Sequence, residues 1–305
     1  MTAFLMVIFL MACDKIEQPV LENPNDIVDP TAGLLQWDLC PDLIPADYVF
    51  PDFAPLTDTQ KNVLLEDYTG HSCANCPAAA DVAEALEESH PGMVFVASVH
   101  AGPGDGFQTV TASYPTDFTT EAGDAYISFP DPEIFGNPAG TVNRIGGGPT
   151  GGIWYLPGSW QSLVEGELSQ TAKANIALEY YHCPVGNGLF IHADIEVEES
   201  LDAADYRFIL FLLRQKVISP QSAGSQYIPD YEHHNVLSDN VNGTWGTALQ
   251  LDTLALDSPL FLNYSYQLPD PLVDATYEIS NLAILGFLMD RTTQAVFQSE
   301  FIELE

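Results

Sequence analysis

The chain carries very little positive charge. Its 305 residues include 8 Lys and Arg against 43 Asp and Glu, which gives a formal net charge of -35 at pH 7. Binding to nucleic acid phosphates or to anionic lipid headgroups depends on clustered basic side chains. The composition therefore argues against both kinds of partner. The acidic residues indicate either a solvated coat or a surface for a cationic partner or a divalent metal.

Long apolar runs are lacking as well. The best candidate covers residues 3–12, and about 10 residues are too few to cross a bilayer core of about 30 Å. This run is typical of an export signal, and Leu10-Met-Ala-Cys13 resembles the lipobox of bacterial lipoproteins, in which the cysteine is acylated. We predict a signal peptide over residues 1–13, with lipidated Cys13 as the only attachment to a membrane. An apolar N-terminal strand with an incidental cysteine is the alternative.

Cysteine is scarce, with five residues in the chain. If Cys13 is lipidated, four remain, and Cys73 and Cys76 form a local pair. Cys40 and Cys183 are left over. They are candidates for a structural disulfide that would tie the N-terminal segment to a second domain in an oxidising compartment.

Three folded or extended regions are predicted after the signal peptide. Residues 14–58 are rich in Pro and acid without a helical or strand period, which is typical of a tether. Residues 59–173 alternate predicted strands and helices and include the βαβ unit of a parallel sheet, with elements at 62–69, 78–90, 93–99, 115–126, 137–144 and 160–172. Residues 174–305 contain several short strands with a period of two, which predicts an antiparallel β-sandwich.

The motif Cys73-Ala-Asn-Cys76-Pro lies between a predicted buried strand and an amphipathic helix. Unpaired N–H groups and the helix dipole at a helix N-terminus favour a thiolate, so we expect Cys73 to be the nucleophile. Cys76 would then resolve the mixed disulfide. No Lys or Arg occurs between Lys61 and Arg144, so nearby carboxylates oppose the ionisation unless a protonated His71 offsets them. The balance of these effects stays open.

Other chemistry for the cysteine pair also stays open: a purely structural disulfide, or metal capture. Zinc would need four well-spaced ligands, and the other cysteines and His233-His234 are distant in sequence. Copper bound by the pair with His71 or His100 would need fewer ligands. The two adjacent histidines are more typical of a polar loop than of a metal site. We predict neither a resident metal nor a cofactor.

The run Val63-Leu-Leu-Glu-Asp-Tyr68 before Cys73 resembles the thioredoxin strand that leads into the active site. The resemblance implies that Asp67 occupies the position of that family's buried acid. Asp67 would then move a proton to or from Cys76. Glu66 should point to the opposite face of the strand.

The dipeptide Asn137-Pro138 resembles the cis-proline turn that faces the cysteines in thioredoxin-like folds. This implies that Pro138 and Asn137 bind the partner chain. The turn lies farther along the sequence than is usual in that family, which implies an insertion at residues 101–135.

A wider resemblance covers most of the chain. It is carried by Leu65-Glu-Asp-Tyr-Thr-Gly70, Pro138-Ala-Gly-Thr-Val-Asn-Arg144 and Tyr231-Glu-His-His-Asn-Val-Leu237. These segments resemble the outer membrane protein 28-related family of thioredoxin-like lipoproteins of Bacteroidota. The resemblance implies an α/β thioredoxin-like domain followed by a β domain, anchored by lipid at the outer membrane.

Two functions follow from these observations. The first is thiol-disulfide exchange with thiols or disulfides of exported proteins. The second is a surface interaction lipoprotein, in which the cysteine pair is a structural disulfide and the thioredoxin-like domain is a scaffold.

Overall fold

A computed structural model describes residues 35–56, 59–104, 106–128, 132–198, 205–249 and 259–305. The predicted signal peptide, Cys13 and residues 14–34 of the predicted tether lie outside these ranges. Within the described ranges, no helix is long and apolar enough to cross a membrane.

The secondary structure in these ranges comprises α-helices and β-strands of mixed order. The helices are α1 (Cys76–Ser89), α2 (Glu121–Ser128) and α3 (Trp160–Leu168). The strands are β1 (Val63–Tyr68), β2 (Val94–Val99), β3 (Ala139–Val142), β4 (Ala174–Cys183), β5 (Gly188–Val197), β6 (Tyr206–Ala223), β7 (Gln226–Asn240), β8 (Thr247–Leu249), β9 (Leu260–Gln267), β10 (Leu282–Asp290) and β11 (Val296–Glu303). The predicted order of strand, helix and strand around the cysteine motif is confirmed.

One large mixed sheet runs through most of the fold. Its strand order is β11-β10-β6-β7-β2-β1-β3, and β8 pairs with the start of β6. The β1 and β2 strands are parallel, whereas β3 is antiparallel to β1. The β7 strand lies parallel beside β2, with Ser98 opposite Val236. The strands of the second half of the chain thus continue the sheet that β1, β2 and β3 begin.

Strands of the second half of the chain lie in two sheets. The β4, β5 and β9 strands form a separate three-stranded antiparallel sheet. Apolar side chains of this small sheet, such as Leu189 and Ile191, share a core cluster with Leu210 and Leu212 of β6. The large sheet nevertheless belongs to both halves of the chain, because β7 covers the edge that β2 would otherwise expose. The finer assignment of a β-sandwich domain beginning at residue 174 stays a prediction.

The β1 strand is buried along its whole length, as expected for a strand covered on both faces of a sheet. Val63 and Leu65 pack in one cluster with Ala83 of α1 and Trp160 of α3. Leu64 and Tyr68 pack in a different cluster. Side chains alternate along a strand, so Asp67 lies on the face of Val63 and Leu65, and Glu66 lies on the opposite face.

Glu66 is neutralised by a buried ion pair with Arg144. The guanidinium donates from Nε to Oε2 and from Nη2 to Oε1, both at 2.7 Å. Thr141 also donates its hydroxyl to Oε2 at 2.7 Å, and the guanidinium lies 4.4 Å from the ring centroid of Tyr126. Loss of one partner would leave an uncompensated buried charge, at a cost of about 3–5 kcal/mol. Arg144 is therefore engaged away from the cysteines.

Residues 35–56 lie against the small sheet. A disulfide joins Cys40 to Cys183 at the end of β4, with a Cα–Cα distance of 5.1 Å. Trp37 and Tyr48 make edge contacts with Phe190 of β5, at centroid distances of 5.4 and 5.8 Å. This part of the predicted tether is therefore attached to the folded body.

Candidate functional site

Cys73 and Cys76 are joined by a disulfide, with a Cα–Cα distance of 5.4 Å. Cys76 is the first residue of α1, and Cys73 lies in the preceding turn, where its N–H donates to the Gly70 carbonyl at 3.0 Å. The first turn of α1 contains no acidic residue. The positive end of the helix dipole therefore lies beside the pair without a carboxylate of its own helix to offset it.

Asp67 and Cys76 line one cavity of about 30 Å³. Among the described residues, Oδ1 of Asp67 has no hydrogen-bond partner. Burial raises the pKa of this carboxyl from 3.8 to about 8. Asp67 is therefore largely protonated at neutral pH and can supply a proton to a thiolate in the same cavity.

The Asn137-Pro138 peptide bond is cis and directly precedes β3. Tyr68 pairs with Ala139, so the turn lies beside the end of β1 that leads to the cysteines. The Asn137 amide donates to the carbonyls of Tyr68 and Ala101 at 2.8 and 2.9 Å. The structure thus places the turn beside the end of β1 that precedes the cysteine loop, with the Asn137 side chain holding the neighbouring backbone.

Residues 106–108, within the expected insertion, pack against the cysteine loop. The Phe107 carbonyl accepts hydrogen bonds from the backbone N–H and the hydroxyl of Ser72, at 3.1 and 3.2 Å. Gln108 donates to the Thr69 carbonyl at 2.6 Å. A Cβ at Gly70 would lie 2.7 Å from Cβ of Phe107, so this close approach requires glycine.

His71 is a buried neutral side chain and not the cation that would offset the surrounding acid. Its Nε2 donates to the Thr109 carbonyl at 3.0 Å, and its ring stacks on Tyr114 with 5.0 Å between centroids. Burial lowers the pKa of His71 below its usual 6.5. Stabilisation of a Cys73 thiolate therefore falls to the α1 N-terminus.

The tip of the β6-β7 hairpin, residues 221–227, covers the cysteine loop. Backbone N–H groups of Gly224 and Ser222 donate to the carbonyls of Ala74 and His71, at 2.7 and 2.9 Å. The side-chain amide of Gln221 donates to the Cys73 carbonyl at 3.1 Å and to the Gly70 carbonyl at 3.3 Å. We call residues 221–227 the hairpin tip.

This cover buries both cysteines. Cys73 is 2% exposed and Cys76 is 1% exposed, although Ala74 and Asn75 between them are exposed. A thiol in solution cannot reach the disulfide in this arrangement. Chemistry at the pair with an outside partner requires displacement of the hairpin tip.

The hairpin explains why the sequence reading of His233-His234 as a polar loop is wrong. Both residues lie within β7. His233 is buried beside the cavity of Asp67, whereas His234 is partly exposed and 3.3 Å from a carboxylate oxygen of Glu232. Within the described ranges, no group of three or more His, Cys, Asp or Glu side chains could hold a metal ion. The disulfide between Cys40 and Cys183 joins the N-terminal segment to β4 and does not belong to this site.

Replacing Asp67 by Asn tests its raised pKa through stability. Between pH 3.8 and about 8, the folded state keeps a proton on Asp67 that the unfolded chain has already released. The unfolding free energy of the wild type therefore falls as pH rises through this window. The unfolding free energy of Asp67→Asn should therefore rise relative to that of the wild type by up to about 1.4 kcal/mol per pH unit across this window. Chemical denaturation from pH 4 to 9 measures this difference.

Asp194→Asn in β5 is the matched control. Burial raises the pKa of Asp194 only to about 6. The difference in unfolding free energy between Asp194→Asn and the wild type should therefore stop growing near pH 6. An advantage of Asp67→Asn that stays constant from pH 4 to 9 would contradict the assigned protonation of Asp67.

Comparison with known proteins identifies solved structures that are similar to this chain. No family model matches the chain, and no curated protein matches it. HBP35 of Porphyromonas gingivalis aligns with a TM-score of 0.61 and 17% identity, over 81% of this chain and 76% of its own. A domain of the outer membrane lipoprotein Omp28 from Porphyromonas gingivalis aligns with a TM-score of 0.31 and 18% identity, over 44% of this chain and 89% of its own.

A structural genomics protein of Agrobacterium tumefaciens aligns with a TM-score of 0.48 and 10% identity, over 81% of this chain and 96% of its own. The similarity to HBP35 shows an α/β fold shared with that protein, and the βαβ unit together with the cis-proline turn supports a thioredoxin-like fold.

Proposed function

We propose that this chain catalyses thiol-disulfide exchange through Cys73 and Cys76. The observation that carries the proposal is the cavity that Cys76 shares with the buried Asp67 carboxyl. A purely structural disulfide gains nothing from a buried acid without a hydrogen-bond partner, and burial of such a group costs stability. Groups of this kind concentrate at functional sites.

The first chemical step uses the positions of the two sulfurs. A thiolate of the partner attacks Sγ of Cys73, the Cys73–Cys76 bond breaks, and its electron pair moves to Sγ of Cys76. Asp67 gives its proton to this new thiolate and becomes a carboxylate. A mixed disulfide now joins Cys73 to the partner.

The second step releases the partner. A second thiolate of the partner attacks the partner sulfur of the mixed disulfide, and Cys73 leaves as a thiolate near the α1 N-terminus. The partner has lost two electrons as its disulfide forms, and the protein has gained them as a dithiol. Asp67 and Cys73 recover their protons from solvent. The reverse sequence reduces a partner disulfide, with Asp67 as the base that takes the Cys76 proton.

The hairpin tip gates both directions of the reaction. In the closed arrangement, its hydrogen bonds hold the backbone of residues 70–74 and shield the disulfide from outside thiols. We propose that the tip moves aside when a partner chain binds, and that the half-buried Pro138 then contacts that chain.

The partners that we propose are exported proteins with thiols or disulfides. The predicted lipobox supports an outer membrane address with a lipid on Cys13, and the quoted motifs support membership of the outer membrane protein 28-related family. Mass spectrometry of the mature chain should find an acylated Cys13 at the N-terminus. An unmodified residue ahead of Cys13 would contradict the anchor.

A scaffold function is the second candidate, and the burial of both cysteines favours it. In that case the disulfide ties the 70–76 loop beneath the hairpin tip and never exchanges. The protein would then act through another surface.

A trapping experiment separates these two functions. In Cys76→Ser, a mixed disulfide at Cys73 cannot be resolved from within the chain, so discrete exported proteins should accumulate on it. Non-reducing electrophoresis and mass spectrometry of the full-length lipoprotein measure this. Cys73→Ser is the matched control, because it also lacks the disulfide but retains only Cys76. Equal capture by the two variants would support the scaffold function.

Gln221→Ala tests the gate. The variant loses the hydrogen bonds to Gly70 and Cys73, each worth about 1 kcal/mol, so the hairpin tip should open more often. Dithiothreitol should then reduce the Cys73–Cys76 disulfide roughly 5- to 30-fold faster than in wild type. Gln215→Ala in β6 is the control, since its amide donates to the Leu282 carbonyl at 3.1 Å, away from the hairpin tip. Equal reduction rates in all three proteins would exclude the gate.

A further inference from the structure

Two buried histidines lie beside the cavity of Asp67 and Cys76. His100 directly follows β2 and is 2% exposed, and His233 in β7 is 6% exposed. Their ring centroids are 5.5 Å apart, and both rings pack against Phe118 at 4.4 and 4.8 Å. The function proposed above assigns no role to either histidine.

Polar atoms in this region lack partners among the described residues. They are both ring nitrogens of His100, Nε2 of His233 and Oδ1 of Asp67. Buried polar groups are almost always hydrogen bonded to protein or water. The residues lining the cavity include all three side chains, and a volume of about 30 Å³ accommodates one or two water molecules. The cavity is thus suited to a short chain of hydrogen bonds.

Both histidines are neutral at neutral pH. Burial lowers the pKa of His100 well below 6.5 and the pKa of His233 to about 4. A neutral imidazole has one N–H donor and one acceptor nitrogen. It can accept a proton at one nitrogen and release another proton from the other nitrogen. Neutral rings also leave the pKa of Asp67 high, whereas a cation in the cavity would lower it.

We propose that His100 and His233 are positioning residues that, with water in the cavity, carry protons between solvent and Asp67. This inference rests on the proposed exchange function. After Asp67 protonates Cys76, its carboxylate is buried and must recover a proton before the next cycle. A histidine ring takes a proton from water on its outer side and releases one towards Asp67, so one proton moves inward for each cycle. In the reverse direction the proton moves outward.

Charged and titratable groups on four elements surround the pair. They are Glu84 on α1, His71 in the cysteine loop, Arg214 on β6, and Tyr231 and His234 on β7. The positive charge of Arg214 lowers the pKa of both buried histidines. Glu84, Tyr231 and His234 are only partly buried, and they mark the side of the cavity that opens to solvent. Arg214 is a buried cation beside the rings, whereas the other charged groups lie at the opening of the cavity.

The pH dependence of exchange in the full-length protein tests this inference. Steady-state turnover between dithiothreitol and oxidised glutathione is measured from pH 5 to 9 and divided by the rate for an unfolded peptide with the same Cys-Ala-Asn-Cys sequence, which removes the titration of the reagents. The wild-type ratio should fall as Asp67 ionises near pH 8. In His233→Phe the ratio at pH 7 should fall at least about tenfold, because Asp67 regains its proton slowly between cycles, whereas a single reduction of the disulfide by dithiothreitol should proceed at the wild-type rate.

Three further variants separate proton transfer from packing. His233→Gln keeps a donor and an acceptor but cannot relay a proton, so it should be as slow as His233→Phe. It replaces His233→Phe as the test variant if the latter does not fold. His182→Phe in β4 of the small sheet should behave like wild type. In an Asp67→Asn background, His233→Phe should cause no further loss, because the two residues act in one path.

Recovery of the rate in His233→Gln would overturn the inference, as would an equal loss from His233→Phe with and without Asp67. A wild-type rate no greater than that of the peptide would instead overturn the exchange function itself. The two failures are therefore distinguishable.

Discussion

Burial of the Asp67 carboxyl is the constraint on which the candidate site depends. Helix α1, the β7 strand and the hairpin tip border the space around this group and Cys76. Because burial disfavours the carboxylate, the pKa of Asp67 rises to about 8, and the acid can hold the proton that the proposed cleavage at Cys76 requires. Burial also keeps the nearby histidines neutral, and the hairpin tip shields the disulfide from outside thiols. The proposed exchange therefore requires movement of the hairpin tip.

The two acids at neighbouring positions of β1 show how the fold divides structural and chemical roles. Glu66 is matched by a bidentate Arg144 and a threonine hydroxyl, so its charge is fully compensated and it stabilises the junction with the second half of the chain. Asp67, on the other face, has no cation beside it and is kept neutral by protonation instead. Burial of an unpaired carboxylate is costly, which is consistent with a paired Glu66 and a protonated Asp67 on the same strand.

The elements that could be predicted from the sequence are those that local sequence patterns determine. The β1-α1-β2 unit, the cysteine loop and the acid at Asp67 follow from apolar periodicity, helix signals and a family resemblance. The β7 strand does not, because residues 226–235 are mostly polar, include Pro229, and become a strand only through pairing with β6. The burial of His233 therefore depends on the pairing of β7 with β6, which no local sequence pattern predicts. The Glu66–Arg144 pair also joins residues 78 positions apart. Helix α2 begins later than predicted, at Glu121, directly after Thr120, whose hydroxyl accepts a hydrogen bond from the Gly123 N–H at 2.9 Å.

The reduction potential of the Cys73–Cys76 pair in the full-length protein tests the account most directly. Equilibration with glutathione buffers, followed by mass spectrometry of the alkylated cysteines, gives this value without disturbing the Cys40–Cys183 disulfide in the small sheet. The account predicts a potential between about -120 and -270 mV, the range of proteins that exchange disulfides. A potential below about -300 mV, typical of structural disulfides in secreted proteins, would contradict it.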